Sequence, residues 1–315
     1  MIARRTLGAA LAGVTALAAL PFVSSPTIAA DDWRTAIPVF RVGILGGENE
    51  ADRLKNYSCF KDLLEARLEV PVELYPASDY AGVMQGLISK NLEYAGLGSS
   101  AYAGISIQDP EAVEPLVTTE QVDGSLGYYS VMYVKSDSPY QTLEDLKDKT
   151  LAFADPNSTS GYLVPAYELK AQGYDPKEFF SKTGFGGGHE QAVVAVLNDQ
   201  YDAGVTWTSG VGKKSEGYSR GNLRKMVDKG ALNMDDIRII WKSNLITNGP
   251  RVIRKDVPQA LKDMMRGILV NLPIENPDCA QAIAGGEING FQPISQDFYR
   301  PIIEMRRELL AARRG

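Results

Sequence analysis

The sequence predicts an α/β protein of two lobes. Short β-rich runs alternate with helically patterned segments over most of the chain, and alternation of this kind argues for mainly parallel sheets. Setting aside residues 1–30 leaves 285 of the 315 residues, more than a single α/β core usually holds. Neither an internal repeat nor a low-complexity linker interrupts them, so the lobes should be joined by crossing strands instead of a tether.

The first thirty residues read as an address. Arg4 and Arg5 precede an apolar run from Leu7 to Val23, and Ser24 to Ala30 are mostly small. A basic start, an apolar middle and a small-residue exit predict a secretory signal peptide, cleaved after Ala30 or Ala29. A membrane anchor is the alternative, and Arg4-Arg5 leaves Sec and twin-arginine export both open. Removing residues 1–30 takes away two arginines and no acid, moving the net charge from −6 to −8. Beyond them no 20-residue apolar span occurs.

Strands are predicted at Phe40–Leu45, Val72–Tyr75, Tyr94–Leu97, Tyr128–Val134, Thr150–Ala154, Ala203–Trp207, Ile237–Trp241 and Arg251–Arg254. Apolar residues at helical spacing predict helices over Leu54–Leu68, Tyr80–Ser89, Leu143–Leu146, Tyr162–Lys170, Gln191–Leu197, Ala260–Leu269 and Phe298–Ala312. The last of these is amphipathic and, continued to Arg314, carries Arg306, Arg307, Arg313 and Arg314. It is expected to pack on the first lobe with a solvated basic face.

Composition narrows the function. With 44% hydrophobic and 23% charged residues, disorder, collagen and coiled coil are excluded as the main architecture. A formal charge of −6 argues against nucleic acid as a partner. His189 is the single histidine, so a histidine-rich metal site is excluded, and no cofactor is expected. Two cysteines exclude a disulfide-dense scaffold or a four-cysteine zinc site. In an exported chain Cys59 and Cys279 are expected to form a disulfide, with two separate buried thiols as the alternative.

The chemistry gathers in turns that follow strands, where open α/β sheets bind ligands. In Asp155-Pro156-Asn157-Ser158-Thr159-Ser160-Gly161, Pro156 blocks helix before it, and Asn157 or Ser158 is a natural N-cap. The N–H groups of Ser158 to Gly161 should point out of the helix start, and three hydroxyls stand beside them. That predicts an anion site of neutral donors. It lacks the lysine of a nucleotide P-loop. A plain capped helix is the alternative.

Ser78-Asp79-Tyr80-Ala81-Gly82 repeats the design; Tyr80 either offers its hydroxyl to the anion or packs as a core aromatic. Gly98-Ser99-Ser100-Ala101-Tyr102 and Asp123-Gly124-Ser125-Leu126-Gly127-Tyr128 are further candidates. His189, after Gly186-Gly187-Gly188, opens another helix, where the dipole favours its neutral form. It either donates to the anion or serves as a cap. Trp207 ends a strand and is either a pocket wall or core, with Ser209 beside it as a further ligand contact.

The segments from Ser78 to Gly86, Gly127 to Ser130, Asp155 to Pro165 (DPNSTSGYLVP) and Gly188 to Glu190 resemble the phosphonate-binding protein family of ABC transporters (PhnD-like). The order and spacing agree from about Phe40 to about Lys255. The resemblance implies a type II periplasmic binding protein that closes around a phosphonate-type anion and delivers it to an ABC permease in the inner membrane. The predicted lobes are residues 31–127 with 242–315, and residues 128–241. By the family's pattern Ser158, Thr159 and Ser160 hold the phosphonate oxygens, and Tyr80, Tyr128 and His189 complete the shell.

The sequence departs from the pattern at the substituent. Aminoalkyl phosphonates call for carboxylates, yet neither Trp207 to Gly210 nor Leu245 to Pro250 contains an acid. Methylphosphonate or phosphite is therefore expected, with Glu48 as the one acid that could reach the cleft and serve a cation. A secreted phosphoesterase would need a nucleophile with a base, or metals, and neither is evident. A carboxylate binder usually draws an arginine, and none sits in the candidate turns. Transport and sensing are not separable by sequence.

Overall fold

Two six-stranded sheets organise residues 33–312, the part of the chain described by the computed structural model. The predicted leader lies outside the described residues. The strands are β1 (Phe40–Ile44), β2 (Val72–Pro76), β3 (Tyr94–Gly96), β4 (Val113–Glu120), β5 (Gly127–Lys135), β6 (Thr150–Phe153), β7 (Lys182–Phe185), β8 (Ala203–Thr208), β9 (Ile237–Lys242), β10 (Ile246–Thr247), β11 (Pro250–Arg254) and β12 (Gly290–Pro293). The first sheet has the order β12-β4-β11-β3-β1-β2 and the second β10-β5-β8-β6-β7, with β9 also paired to β5. The chain crosses between them twice, from β4 to β5 and from β10 to β11. β9 and β10 both pair with β5, so the second sheet continues past the boundary at 241/242 read from the sequence.

The sheets are mixed, not mainly parallel. β1 pairs in parallel with β2 and β3, and β6 with β7 and β8; the other pairs are antiparallel. The crossings are the physical reason. β1 and β3 run toward the gap between the sheets, so a strand arriving from the other side starts there and runs opposite. β11 does this in the first sheet and β5 in the second. Hydrophobic periodicity carries no strand direction, so the pattern could not reveal it.

Each sheet is covered on both faces by helices, as its near-continuous apolar strands require. On the first, Phe40, Val42 and Tyr94 pack with Glu50–Leu68, Gln259–Glu275 and Pro277–Ala284. The opposite face packs against Tyr80–Ile88, Ser99–Gln108 and Arg300–Ala311. In the second, Met132 and Phe153 face Val164–Ala171, whereas Val131 and Tyr133 face His189–Leu197 and Asn222–Asp228.

Several elements escape the sequence reading for local reasons. β4 contains Pro115, which normally argues against a central strand. Here it sits where the ladder with β11 shifts register, Arg251 facing Val117 and Val252 facing Pro115. Ser99–Gln108 is buried on all sides from Ser99 to Ser106, so it shows no amphipathic period. Cys59 and Cys279 are bonded, joining Glu50–Leu68 to Pro277–Ala284. The C-terminal helix does not present a wholly solvated basic face. Arg306 turns inward and donates to the Ser100 carbonyl (3.0 Å), the Ser100 hydroxyl (2.7 Å) and Asn157 Oδ1 (2.6 Å). Arg313 and Arg314 lie outside the described residues.

Candidate functional site

The ends of β1, β3, β6 and β8 open on one cavity of about 170 Å³ between the sheets. Four helices start around it: Tyr80–Ile88, Ser99–Gln108, the π-turn Thr159–Leu163 that leads into Val164–Ala171, and His189–Leu197. Each brings a positive dipole end and unpaired N–H groups, which makes the cavity a place for negative charge.

The turn after β6 is built by its own residues. The Asp155 carboxylate accepts from Asn157 N–H (2.6 Å), and Ser158 N–H donates to the Asp155 carbonyl (3.0 Å). Ser158 is the N-cap, its hydroxyl accepting from Gly161 N–H at 3.0 Å. Two of the four N–H groups expected to face a ligand are thereby occupied. That of Ser160 points at the Tyr128 phenol oxygen, and that of Thr159 has no partner among the described residues.

Thr159 works across the gap. Its Oγ1 accepts from Ser100 N–H at 2.8 Å and from the Ser99 hydroxyl at 3.3 Å, capping a helix of the other lobe. Its own proton is directed at the Tyr128 phenol oxygen. The Ser160 carbonyl accepts from the Ser130 hydroxyl at 2.7 Å, while its side chain faces Tyr128. Burial raises the phenols of Tyr80 and Tyr128, against neighbouring serine and threonine hydroxyls that pull them down. Both stay protonated at neutral pH, so both are donors.

His189 is buried with each ring nitrogen beside a hydroxyl: Nε2 is 3.0 Å from Ser158 Oγ and Nδ1 is 3.3 Å from Thr206 Oγ1. Burial pushes its pKa down to about 4, with Glu48 opposing and Lys225 adding to the shift. The unfolded chain protonates first, near 6.5, so the stability this group confers is complete above that pH. It should fall by about 3 kcal/mol as pH drops from 6.5 toward 4. Denaturant titrations across that range should show the slope, and His189→Gln should flatten it; an equal slope in both proteins would place the proton uptake elsewhere.

Trp207 lines the cavity but is not a purely apolar wall. It meets Tyr128 edge-on at 5.5 Å, and the Arg220 guanidinium lies over it at 4.9 Å. Ser209 does not line the cavity. The strand ends at Thr208 and the chain turns at Gly210 (φ +72°), so Ser209 leaves the face of Trp207. Its hydroxyl is 2.9 Å from that of Ser219, and its N–H donates to the Arg220 carbonyl at 2.7 Å. It fixes the segment that carries Arg220.

Five charged residues on the cavity, Glu48, Arg53, Arg220, Lys225 and Arg251, lie outside the predicted turn motifs. Glu48 does reach it, but both its oxygens accept from Lys225 Nζ at 2.9 Å. Burial would raise this carboxyl; Lys225 overcomes that and holds it below its usual range. It is the one acid lining the cavity among the described residues, and it is already paired. Arg220 and Arg251 also line the cavity, both buried. Arg251 was legible only as a charged residue inside a predicted strand. Arg220 sits in an irregular stretch with no motif around it.

Residues 42–299 match the family model described as the phosphonate periplasmic substrate-binding protein of ABC transporters. The chain belongs to that family. A phosphonates-binding periplasmic protein from Escherichia coli is 32% identical over 233 residues, 73% of this chain and 64% of that protein. A phosphate-import protein, PhnD, from Mycolicibacterium smegmatis is 30% identical over 225 residues, 66% of each chain. The chain thus spans slightly less than two thirds of the length of these relatives. A crystal structure from Pseudomonas aeruginosa, a binding protein component of an ABC phosphonate transporter, superposes with a TM-score of 0.73 at 27% identity, covering 85% of both chains. The fold is the two-lobed type II periplasmic binding protein architecture.

Proposed function

We propose that this protein is the periplasmic substrate-binding component of an ABC importer for phosphorus oxyanions. On this reading residues 1–30 direct export, no reaction is catalysed, and an inner-membrane permease receives the ligand. The carrying observation is the cavity at which four helix starts converge, with hydroxyl donors and a single acid that is already paired. Tyr80, Tyr128, Ser158, Thr159 and Ser160 bind the oxygens. His189 acts through the Ser158 hydroxyl. A ligand bridging both lobes draws them together, as Thr159 on the Ser100 N–H already does.

Methylphosphonate or phosphite is favoured over aminoalkyl phosphonates. An ammonium substituent would meet Arg220, Arg251 and Lys225 with no free carboxylate, an arrangement that repels it. Calorimetry of the ligand-stripped protein with methylphosphonate, phosphite, phosphate and 2-aminoethylphosphonate tests this. Tight binding of either of the first two supports the reading; preference for the aminoalkyl compound refutes the pocket, and no heat with any of them refutes the ligand class. Ser158→Ala and Thr159→Ala should each weaken binding by about 1–3 kcal/mol, as expected for a hydrogen bond to a charged group. Unchanged affinity in both variants would remove the turn after β6 from the site.

A further inference from the structure

Arg220 and Arg251 are held side by side. Arg251 Nη2 donates to the Ile283 carbonyl at 2.7 Å, and Arg220 Nε donates to the next carbonyl, Ala284, at 2.9 Å. Both carbonyls close the helix Pro277–Ala284. Arg251 Nη1 donates to the Tyr57 hydroxyl (3.0 Å) and Arg220 Nη1 to Asn248 Oδ1 (3.1 Å). Asn248 is itself fixed by donating to the Thr119 carbonyl at 2.8 Å. Every partner is neutral. No carboxylate bridges either guanidinium among the described residues.

Two buried cations without an acid are costly unless something compensates. The helix end supplies roughly half a negative charge, against two positive ones. Burial lowers the pKa of Arg220, and the neighbouring Arg251 lowers it further. Arg220 Nη2 has no acceptor among the described residues, and the guanidinium lines the cavity. A third buried arginine, Arg53, also lines the cavity, with Nη1 donating to the carbonyls of Ile44, Leu45 and Ala77 at the end of β1 and Nε unpartnered among the described residues.

Resting on the phosphorus-oxyanion reading above, we infer that Arg220 and Arg251 form a second anion subsite, which takes the carboxylate of a phosphonocarboxylate whose phosphonate sits at the helix starts. A carboxylate suits a guanidinium fork, with two parallel N–H donors to two oxygens. Tyr128 at the phosphonate end meets Trp207 at 5.5 Å, and the Arg220 guanidinium lies over Trp207 at 4.9 Å, so the two ends adjoin in one cavity. Methylphosphonate would leave the arginines facing water; the longer dianionic end would satisfy them.

The test is calorimetry with phosphonoacetate and 3-phosphonopropionate beside methylphosphonate. One of the carboxylates should bind the native protein about tenfold or more tightly than methylphosphonate. Arg220→Gln and Arg251→Gln should each reduce that preference by about tenfold, while Arg220→Lys, which keeps the charge and loses the fork, should reduce it less. A native protein that binds methylphosphonate as tightly as both carboxylates overturns the inference, and needs no variant to do so. Equal weakening of both ligands in the glutamine variants also overturns it, since the arginines would then be counter-charges for one oxyanion. Both results leave the ligand class standing. Failure of every phosphorus anion to bind would instead refute that class, and the subsite with it.

Discussion

Breaking the Cys59–Cys279 bond is expected to destabilise the protein by about 3–5 kcal/mol. The bond closes a loop of 220 residues, and the chain-entropy account gives about 5 kcal/mol for a loop of that length. Both cysteines sit on helices packed into the core of the first lobe, so the effect should be felt in the folded unit that holds β1 and β11. Thermal melts of the native protein with and without reductant, and of the Cys59→Ser, Cys279→Ser double variant, should differ on the order of 10 °C. Coincident melts would mean that the unfolded chain gains little freedom when the bond is opened. The two helices also supply adjoining parts of the cavity wall: Asn56 and Tyr57 from one, Ile283 and Ala284 from the other. The reduced protein should therefore bind more weakly while still folded.

Gly188→Ala is expected to weaken ligand binding by about 10–100-fold, and also to destabilise its own lobe by about 1–3 kcal/mol, because Gly188 holds φ +159° and ψ 176°. Gly188 ends the turn after β7 and faces Gly47, which follows β1 in the other lobe. A Cβ on Gly188 would stand 2.2 Å from Gly47 Cα and 2.4 Å from the Gly47 carbonyl oxygen. Both are backbone atoms, so no side-chain rotation relieves the clash and the two loops must separate. Overpacking of this kind costs about 1–3 kcal/mol, which a ligand that requires the closed form must overcome. Calorimetry gives the affinity, and small-angle scattering with saturating ligand reports whether the lobes stay apart. Native affinity in the variant would show that Gly47 and Gly188 need not approach in the bound form.

Much of the fold is legible where a segment has one wet face and one dry face. Tyr80–Ile88 and His189–Leu197 follow from their apolar spacing, and β1 and β8 from their run of β-formers between turn residues. Legibility fails where burial is uniform or where a breaker is tolerated. Ser99–Gln108 has no polar face to betray its period, and β4 survives Pro115 because the ladder shifts there. The turn after β6 was readable because a cap is a local device: the Ser158 hydroxyl oxygen accepts from the Gly161 N–H only three residues on. What Thr159 does with Ser100 was not readable, since the partner is 59 residues away on another sheet.

The same division separates the anion end of the cavity from its arginine end. Family membership and the helix starts that face the cavity rest on short stretches of chain, whose backbone geometry adjacent residues dictate. The charge of the cavity does not. Glu48 looked like a free acid until Lys225, 177 residues on, closed over it. Arg220 and Arg251 looked unremarkable until the end of a helix 32 and 64 residues further along placed them on consecutive carbonyls. Electrostatic environment depends on distance in space and on exclusion of water, and only the packed chain sets either.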